Sequence, residues 1–171
     1  MATSDNGFFD NFGGKYVAEV LRRPLDELEI AFKEAMADPS FVKELETGYV
    51  VIGDFQHFKG YTLFLYKEHV VELFDLDTKV RAKHLYEMTL VAEAVKRAFG
   101  AQKMNYECLG NGDGGAHIHW HLFPRQTGDI ENYGNNGRGP VWWYPRDEMY
   151  ADANRPDNEE LADMKVKLLC E

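Results

Sequence analysis

A β-sheet carrying one long amphipathic helix is the fold class this sequence predicts, and three observations predict it. Residues 49–52 (Tyr49-Val50-Val51-Ile52) and 61–66 (Tyr61-Thr62-Leu63-Phe64-Leu65-Tyr66) are β-branched and aromatic runs of strand length. Residues 78–99 place Leu85, Met88, Val91, Ala92, Val95 and Phe99 at helical spacing. In the stretch Ala116-His117-Ile118-His119-Trp120-His121-Leu122-Phe123, histidine stands at every second position, which is the period of a strand.

The elements follow in order. Residues 1 to about 15 are polar and glycine-rich, and predict a mobile start. A helix is predicted from about Pro24, since Leu25, Leu28, Phe32, Ala35 and Met36 recur at helical spacing and proline suits a first turn. Asp38-Pro39-Ser40 interrupts it, and a shorter helix is predicted over 41–46. Thr47-Gly48 introduces the first strand, and 61–66 forms the second, its apolar run suited to burial on both faces. Asp77 is the predicted N-cap of the long helix and Gly100 its stop, with the apolar stripe packed on the sheet. Residues 103–109 read as a third main strand. A turn at Asn111-Gly112-Asp113-Gly114-Gly115 then leads into the histidine strand, making these two strands antiparallel neighbours. Residues 132–140 are rich in Gly and Asn, Val141-Trp142-Trp143-Tyr144-Pro145 reads as loop or extended chain, and 159–169 closes as a helix with Leu161, Met164, Leu168 and Leu169 on one side. The chain thus divides into an N-terminal helical extension (1–46), a central sheet-and-helix domain (47–130) and a C-terminal loop and helix packed on it (131–171).

The 171 residues, 44% of them hydrophobic, suit one domain with a true core. A net charge of −10 argues against a protein that binds nucleic acid, which needs clustered Lys and Arg, but leaves room for a small phosphorylated ligand. No apolar run approaches the roughly 18 residues of a membrane span, and no secretory signal is evident, so the expectation is a cytoplasmic protein with no membrane partner. Cys108 and Cys170 lie far apart and read as free thiols.

Three readings of the histidine row compete. Three structural histidines on one face would leave several ring nitrogens in need of partners, each unpaired one costing about 1–3 kcal/mol. A catalytic zinc takes three protein ligands, so the count fits, yet same-face neighbours on a strand stand roughly 6–7 Å apart and splay. The third reading is covalent catalysis on a phosphate. Imidazole is partly unprotonated near neutral pH and attacks phosphorus well, while its neighbours bind phosphoryl oxygens. The glycine turn (Gly114, Gly115) offers backbone N–H groups to an anion, and Arg125 a guanidinium.

The run His117-Ile118-His119-Trp120-His121-Leu122-Phe123 resembles the His-φ-His-φ-His-φ-φ motif of the histidine triad (HIT) superfamily, φ being apolar, and is most similar to a bacterial branch with a His-x-His-Trp-His core. Residues 60–70, 103–111 and Phe123-Pro124-Arg125 with Gly128-Asp129 resemble the family's other strands and its exit. The resemblance implies an α+β domain: a meandering antiparallel sheet of about five strands with one long helix packed on it. It further implies a homodimer that hydrolyses or transfers at the α-phosphate of nucleotide conjugates, either dinucleoside polyphosphates or nucleoside phosphoramidates, with a purine nucleotide as ligand and no cofactor. By motif position His119 is the nucleophile. His121 contacts the α-phosphate and lends its backbone carbonyl to orient the His119 ring, and His117 supports the hydrogen-bond network. Asn111 matches an amide near the phosphate and Asp54 an acidic position on the ribose side. Two departures stand out: Tyr61 lies where many relatives carry another histidine, and Tyr66 where a proline is usual. The first leaves a nucleotide-binding protein with little turnover as the alternative reading. With no cysteine before Cys108, no structural zinc is expected.

Among the remaining histidines, His69 fits a structural or capping role, and His57 and His84 are expected to be solvent-facing or satisfied. Gln56 and Lys59 fit a solvated loop better than a nucleotide contact. Trp120 points away from the imidazoles on strand parity; Trp142 and Trp143 suit either a lid on the pocket or a pin for the tail. Residues 6–46, with Phe12-Gly13-Gly14-Lys15-Tyr16-Val17, resemble the start of the tryptophan synthase β-chain, but no pyridoxal-phosphate lysine motif follows and none of that chemistry carries over.

Overall fold

The computed structural model describes residues 8–9, 12–13, 30, 33–34, 37–112, 115–130 and 145–171. The chain forms two compact units, Met1–Asp38 and Pro39–Glu171. In the first, β1 (Phe8–Phe9) pairs antiparallel with β2 (Phe12–Gly13). The apolar positions of the helix expected from Pro24 lie outside the described residues.

The second unit is a five-stranded antiparallel sheet with one long helix on it. Its strands are β3 (Phe41–Glu44), β4 (Gly48–Ile52), β5 (Thr62–Tyr66), β6 (Lys103–Glu107) and β9 (His119–Arg125), in the order β3-β4-β5-β9-β6. A two-residue hairpin, β7 (Asn111–Gly112) with β8 (Gly115–Ala116), stands before β9. The helix expected over 41–46 is instead strand β3. Phe41 pairs with Val51 and Lys43 with Val50 across a bulge, burying Val42, so pairing with β4 overrides the local pattern.

Helix α1 (Thr78–Ala98) starts where Asp77 accepts a hydrogen bond from the Lys79 amide and ends before Gly100, whose φ of +63° takes the chain out of the helix. Its stripe of Met88, Val91, Ala92 and Val95 meets Val50, Ile52, Phe64, Met104 and Leu122 from the sheet in the main core. Trp120 packs on the same core, pointing away from the imidazoles as strand parity predicts. Two further helices follow, α2 (Arg146–Met149) and α3 (Asn158–Leu169), the latter opened by an Asp157–Glu160 capping box and burying Met164 and Leu168. Among the described residues no helix is long and apolar enough to cross a membrane.

Two polar residues of α1 are buried, and they tie the helix to the β3–β4 turn. The Glu87 carboxylate accepts hydrogen bonds from the amides of Glu46 (3.2 Å) and Thr47 (2.9 Å) and from the Thr47 hydroxyl (2.6 Å). Burial alone would raise its pKa, but these donors outweigh burial and hold the carboxyl below its usual range. Because the Thr47 proton goes to Glu87, His84 Nδ1, 3.0 Å from the same hydroxyl oxygen, is the donor in that contact. The His84 ring is fully buried, stacked on Phe64 and edge-on to Tyr66. It is therefore a satisfied core histidine at Nδ1.

Candidate active site

The face of the sheet away from α1 carries His119, His121, Phe123 and Arg125 from β9. Across it, β5 sets Leu65 beside His119 and Leu63 beside His121, while β6 sets Glu107 beside His121. Strand parity thus places two of the three histidines correctly. His117 does not belong to the row, because β9 begins only at His119. At His117 the backbone turns to other partners, its N–H donating to the Gly110 carbonyl.

Each imidazole is held at a defined nitrogen. His117 donates from Nε2 to the Tyr66 carbonyl at 2.9 Å and stacks on His69 at 5.9 Å, so His69 has a structural contact here. His119 donates from Nδ1 to the carbonyl oxygen of His117 at 2.8 Å. A carbonyl can only accept, so the neutral His119 ring carries its proton on Nδ1 and an open lone pair on Nε2. The orienting carbonyl therefore belongs to His117 and not, as expected, to His121. Freed from the regular ladder, the His117 carbonyl can turn back to the ring two residues on. The rings of His119 and His121 lie 4.7 Å apart at 66°.

His121 is half-buried. Burial, with a smaller contribution from His119, pushes its pKa down to about 4, so it is neutral at neutral pH. Its Nδ1 lies 2.6 Å from the hydroxyl of Tyr61. The Tyr61 ring lies parallel to both His121 (6.0 Å) and Phe123 (4.4 Å). Burial, then the charges of Tyr150, Glu107 and Asp54, hold the Tyr61 phenol well above its usual pKa.

The loop before β5 is fastened by Gln56. Its side-chain amide donates to the carbonyls of Gly53 (2.7 Å) and Tyr61 (2.9 Å), and its oxygen accepts from the Gly60 amide (2.8 Å). Gln56 is buried, so it is a loop clamp behind Tyr61 where the sequence suggested a solvated residue or a nucleotide contact. Nothing in the local sequence separates these cases.

The other predicted binding residues divide. Asp54 lies exposed in the bend after β4, close enough to bear on the Tyr61 phenol. Asn111 and Gly115 contribute their backbones to the small hairpin, opposite Ala116 and Gly112, whereas Gly114, Trp142 and Trp143 lie outside the described residues. Arg125 departs from the expectation of a ligand contact. Its guanidinium is buried and spent internally, donating from Nε and Nη2 to Asp129 (2.7 and 3.0 Å) and from Nη1 to Asn105 (2.7 Å). It also lies over the Phe58 ring. It closes the exit of β9 and does not present itself to a ligand. Glu107, unremarked in the sequence, stands beside His121 only because of the β6–β9 register. Among the described residues no group of three His, Cys, Asp or Glu side chains could hold a metal ion.

The family model for the HIT domain matches residues 34–128. Solved structures with the same fold include a histidine triad protein from Sinorhizobium meliloti 1021 (TM-score 0.62, 22% identity, covering 80% of this chain and 92% of that one). A second, from Bradyrhizobium japonicum, has a TM-score of 0.61 at 22% identity over 82% of this chain and 92% of that one. A hypothetical histidine triad nucleotide-binding protein from Sulfolobus tokodaii has a TM-score of 0.55 at 18% identity over 81% and 86%. At these identities the likeness shows the fold. Separately, 40 residues (23% of this chain) are 55% identical to the tryptophan synthase β-chain of Staphylococcus aureus, and the match spans only 10% of that enzyme's length.

Proposed function

From the premise that this chain belongs to the HIT domain family, we propose that it is a hydrolase or transferase acting at the α-phosphate of purine nucleotide conjugates. The substrates would be dinucleoside polyphosphates or nucleoside phosphoramidates. One observation carries the reading: the bond from His119 Nδ1 to the His117 carbonyl, which leaves the Nε2 lone pair open for attack. In the first step that pair forms an N–P bond to the α-phosphorus while the bond from phosphorus to the leaving group breaks, its electrons departing with that group. The ring then bears positive charge, and the His117 carbonyl stabilises the Nδ1–H that carries it. Water attacks the phosphorus of the nucleotidyl-histidine and loses a proton to solvent, the N–P electron pair returns to Nε2, and the nucleotide is released.

The remaining residues take supporting roles in this proposal. His121 binds α-phosphate oxygens, His117 anchors the segment entering β9 through its bond to Tyr66, and Asp54 faces the ribose. Asn111, Gly114 and Gly115 border the phosphate. The functional unit would be a homodimer, with edge strand β6 and its exposed Tyr106 available to a second copy.

The test is incubation with an adenosine phosphoramidate and with a diadenosine polyphosphate, with product analysis for wild type and His119→Ala. The expected result is adenosine monophosphate from the wild type and a loss of at least about 10³-fold in the variant. Turnover that survives His119→Ala would sink the nucleophile assignment. Tight nucleotide binding without turnover would establish the alternative, a binding protein, for which Tyr61 in place of a further histidine is the supporting observation.

A further inference from the structure

We propose that Tyr61 is a positioning residue: its buried hydroxyl donates to Nδ1 of His121 and fixes that imidazole as the neutral Nε2–H tautomer. The proposal rests on the reading of His119 as nucleophile and His121 as the phosphate contact.

The geometry comes first. The hydroxyl oxygen lies 2.6 Å from His121 Nδ1, at the short end of a hydrogen bond. The phenol ring has little freedom to leave, since it lies parallel to Phe123 at 4.4 Å on one side. Behind it the backbone of Gly53 approaches so closely that a Cβ there would fall 2.2 Å from the ring. The Gln56 clamp holds the Tyr61 carbonyl.

The short contact has room for one proton, and the surroundings decide which partner owns it. The titratable groups facing the pair are His119 on β9, Glu107 on β6, Asp54 after β4 and Tyr150 after α2. Burial and His119 keep His121 from gaining a proton, while burial and the neighbouring negative charges keep Tyr61 from losing one. At neutral pH the phenol is therefore O–H and the ring is neutral, so Nδ1 accepts. The only N–H the ring can then carry is on Nε2.

This makes two adjacent histidines chemical opposites. The His117 carbonyl places the His119 proton on Nδ1 and bares Nε2 as a nucleophile. The Tyr61 hydroxyl empties His121 Nδ1 and makes Nε2–H a donor for a phosphoryl oxygen. In the other tautomer, Nε2 of His121 would turn a lone pair toward phosphate oxygen and repel it. A carbonyl below one ring and a hydroxyl below the other set these opposite roles.

The test is the tautomer itself, read from long-range ¹H–¹⁵N spectra of ¹⁵N-labelled protein at pH 7, with no substrate present. The wild type is expected to show His121 with unprotonated Nδ1 and protonated Nε2. Tyr61→Phe, which keeps the ring stack, is expected to show mixed tautomers and a kcat lowered about tenfold with KM little changed. Tyr61→His, which returns a hydrogen-bonding ring, is expected to regain part of kcat. The proposal is overturned if wild-type His121 is imidazolium or carries its proton on Nδ1. It is equally overturned if the Tyr61→Phe spectrum matches the wild type. Because the spectrum needs no turnover, an inactive protein with the expected tautomer shift counts against the proposed function alone.

Discussion

The Nδ1 atom of His119 lies 2.8 Å from the carbonyl oxygen of His117, two positions earlier in the chain. That one bond assigns the two nitrogens of the ring, because only Nε2 retains a lone pair. A nucleotidyl adduct should therefore form at Nε2 of His119. Rapid quenching of a turnover mixture in alkali, where N–P bonds persist, followed by peptide mass analysis and ³¹P spectroscopy, reads both the residue and the nitrogen. An adduct on Nδ1, or on His121, would contradict the assignment.

Arg125 makes the converse case. A guanidinium beside the phosphate would lose turnover when removed, whereas this one is buried against Asp129, Asn105 and the ring of Phe58. Arg125→Met should leave the Asp129 carboxylate without its ion-pair partner, with the Gln126 amide still donating to it, and cost about 3 kcal/mol of folding stability. The kcat of the folded fraction should stay close to that of the wild type. Urea unfolding curves and steady-state rates on the same preparation separate the two effects, and a large loss of kcat at unchanged stability would restore Arg125 to the substrate.

What the sequence revealed of this site, and what it concealed, divides along physical lines. Parity along β9 is local, so the shared face of His119 and His121 and the core-facing side of Trp120 and Leu122 were legible. The departure of His117 was not, since it depends on where the ladder to β5 begins, at the Leu65–His119 pair. Partners supplied by register were equally hidden, as with Glu107 beside His121 and Asn105 beneath Arg125. Strand β3 reads as helix in the sequence because Phe41-Val42-Lys43-Glu44 has no strong period of its own and takes its form from β4. His84 and Glu87 look like surface residues of a helix until the Thr47 turn is folded over them.

Stability should fall as pH drops below neutrality, for a reason fixed by two histidines. Burial pushes His84 down to about 4, against the opposing charge of Glu87, and burial with His119 does the same to His121. In the unfolded chain both return to about 6.5. The unfolded state therefore binds more protons as pH falls below 6.5, and the contribution of each neutral ring, complete above 6.5, is lost as pH falls through 4. Between pH 6.5 and 5, above the Glu87 titration, His84→Gln should remove about half of the slope of unfolding free energy against pH. Urea midpoints across that interval measure it, and an unchanged slope would show that His84 does not titrate as its burial requires.

Gly53 offers a way to move Tyr61 without altering it. A Cβ at this position would stand 2.2 Å from Tyr61 Cδ1 and 2.3 Å from Cε1, far inside van der Waals contact. The added methyl must push the ring out of its parallel packing with Phe123. Gly53→Ala should therefore pull the hydroxyl off His121 Nδ1, lower kcat and give the mixed His121 tautomers expected of Tyr61→Phe. Gly128→Ala supplies the control: its φ of +86° is strained for alanine, but nothing stands within 4 Å of the new methyl. That variant should lose about 1 kcal/mol of stability and leave the His121 spectrum unchanged. If Gly53→Ala also left the spectrum unchanged while the protein stayed folded, the hydroxyl contact would not depend on the close packing of Tyr61 against the Gly53 backbone.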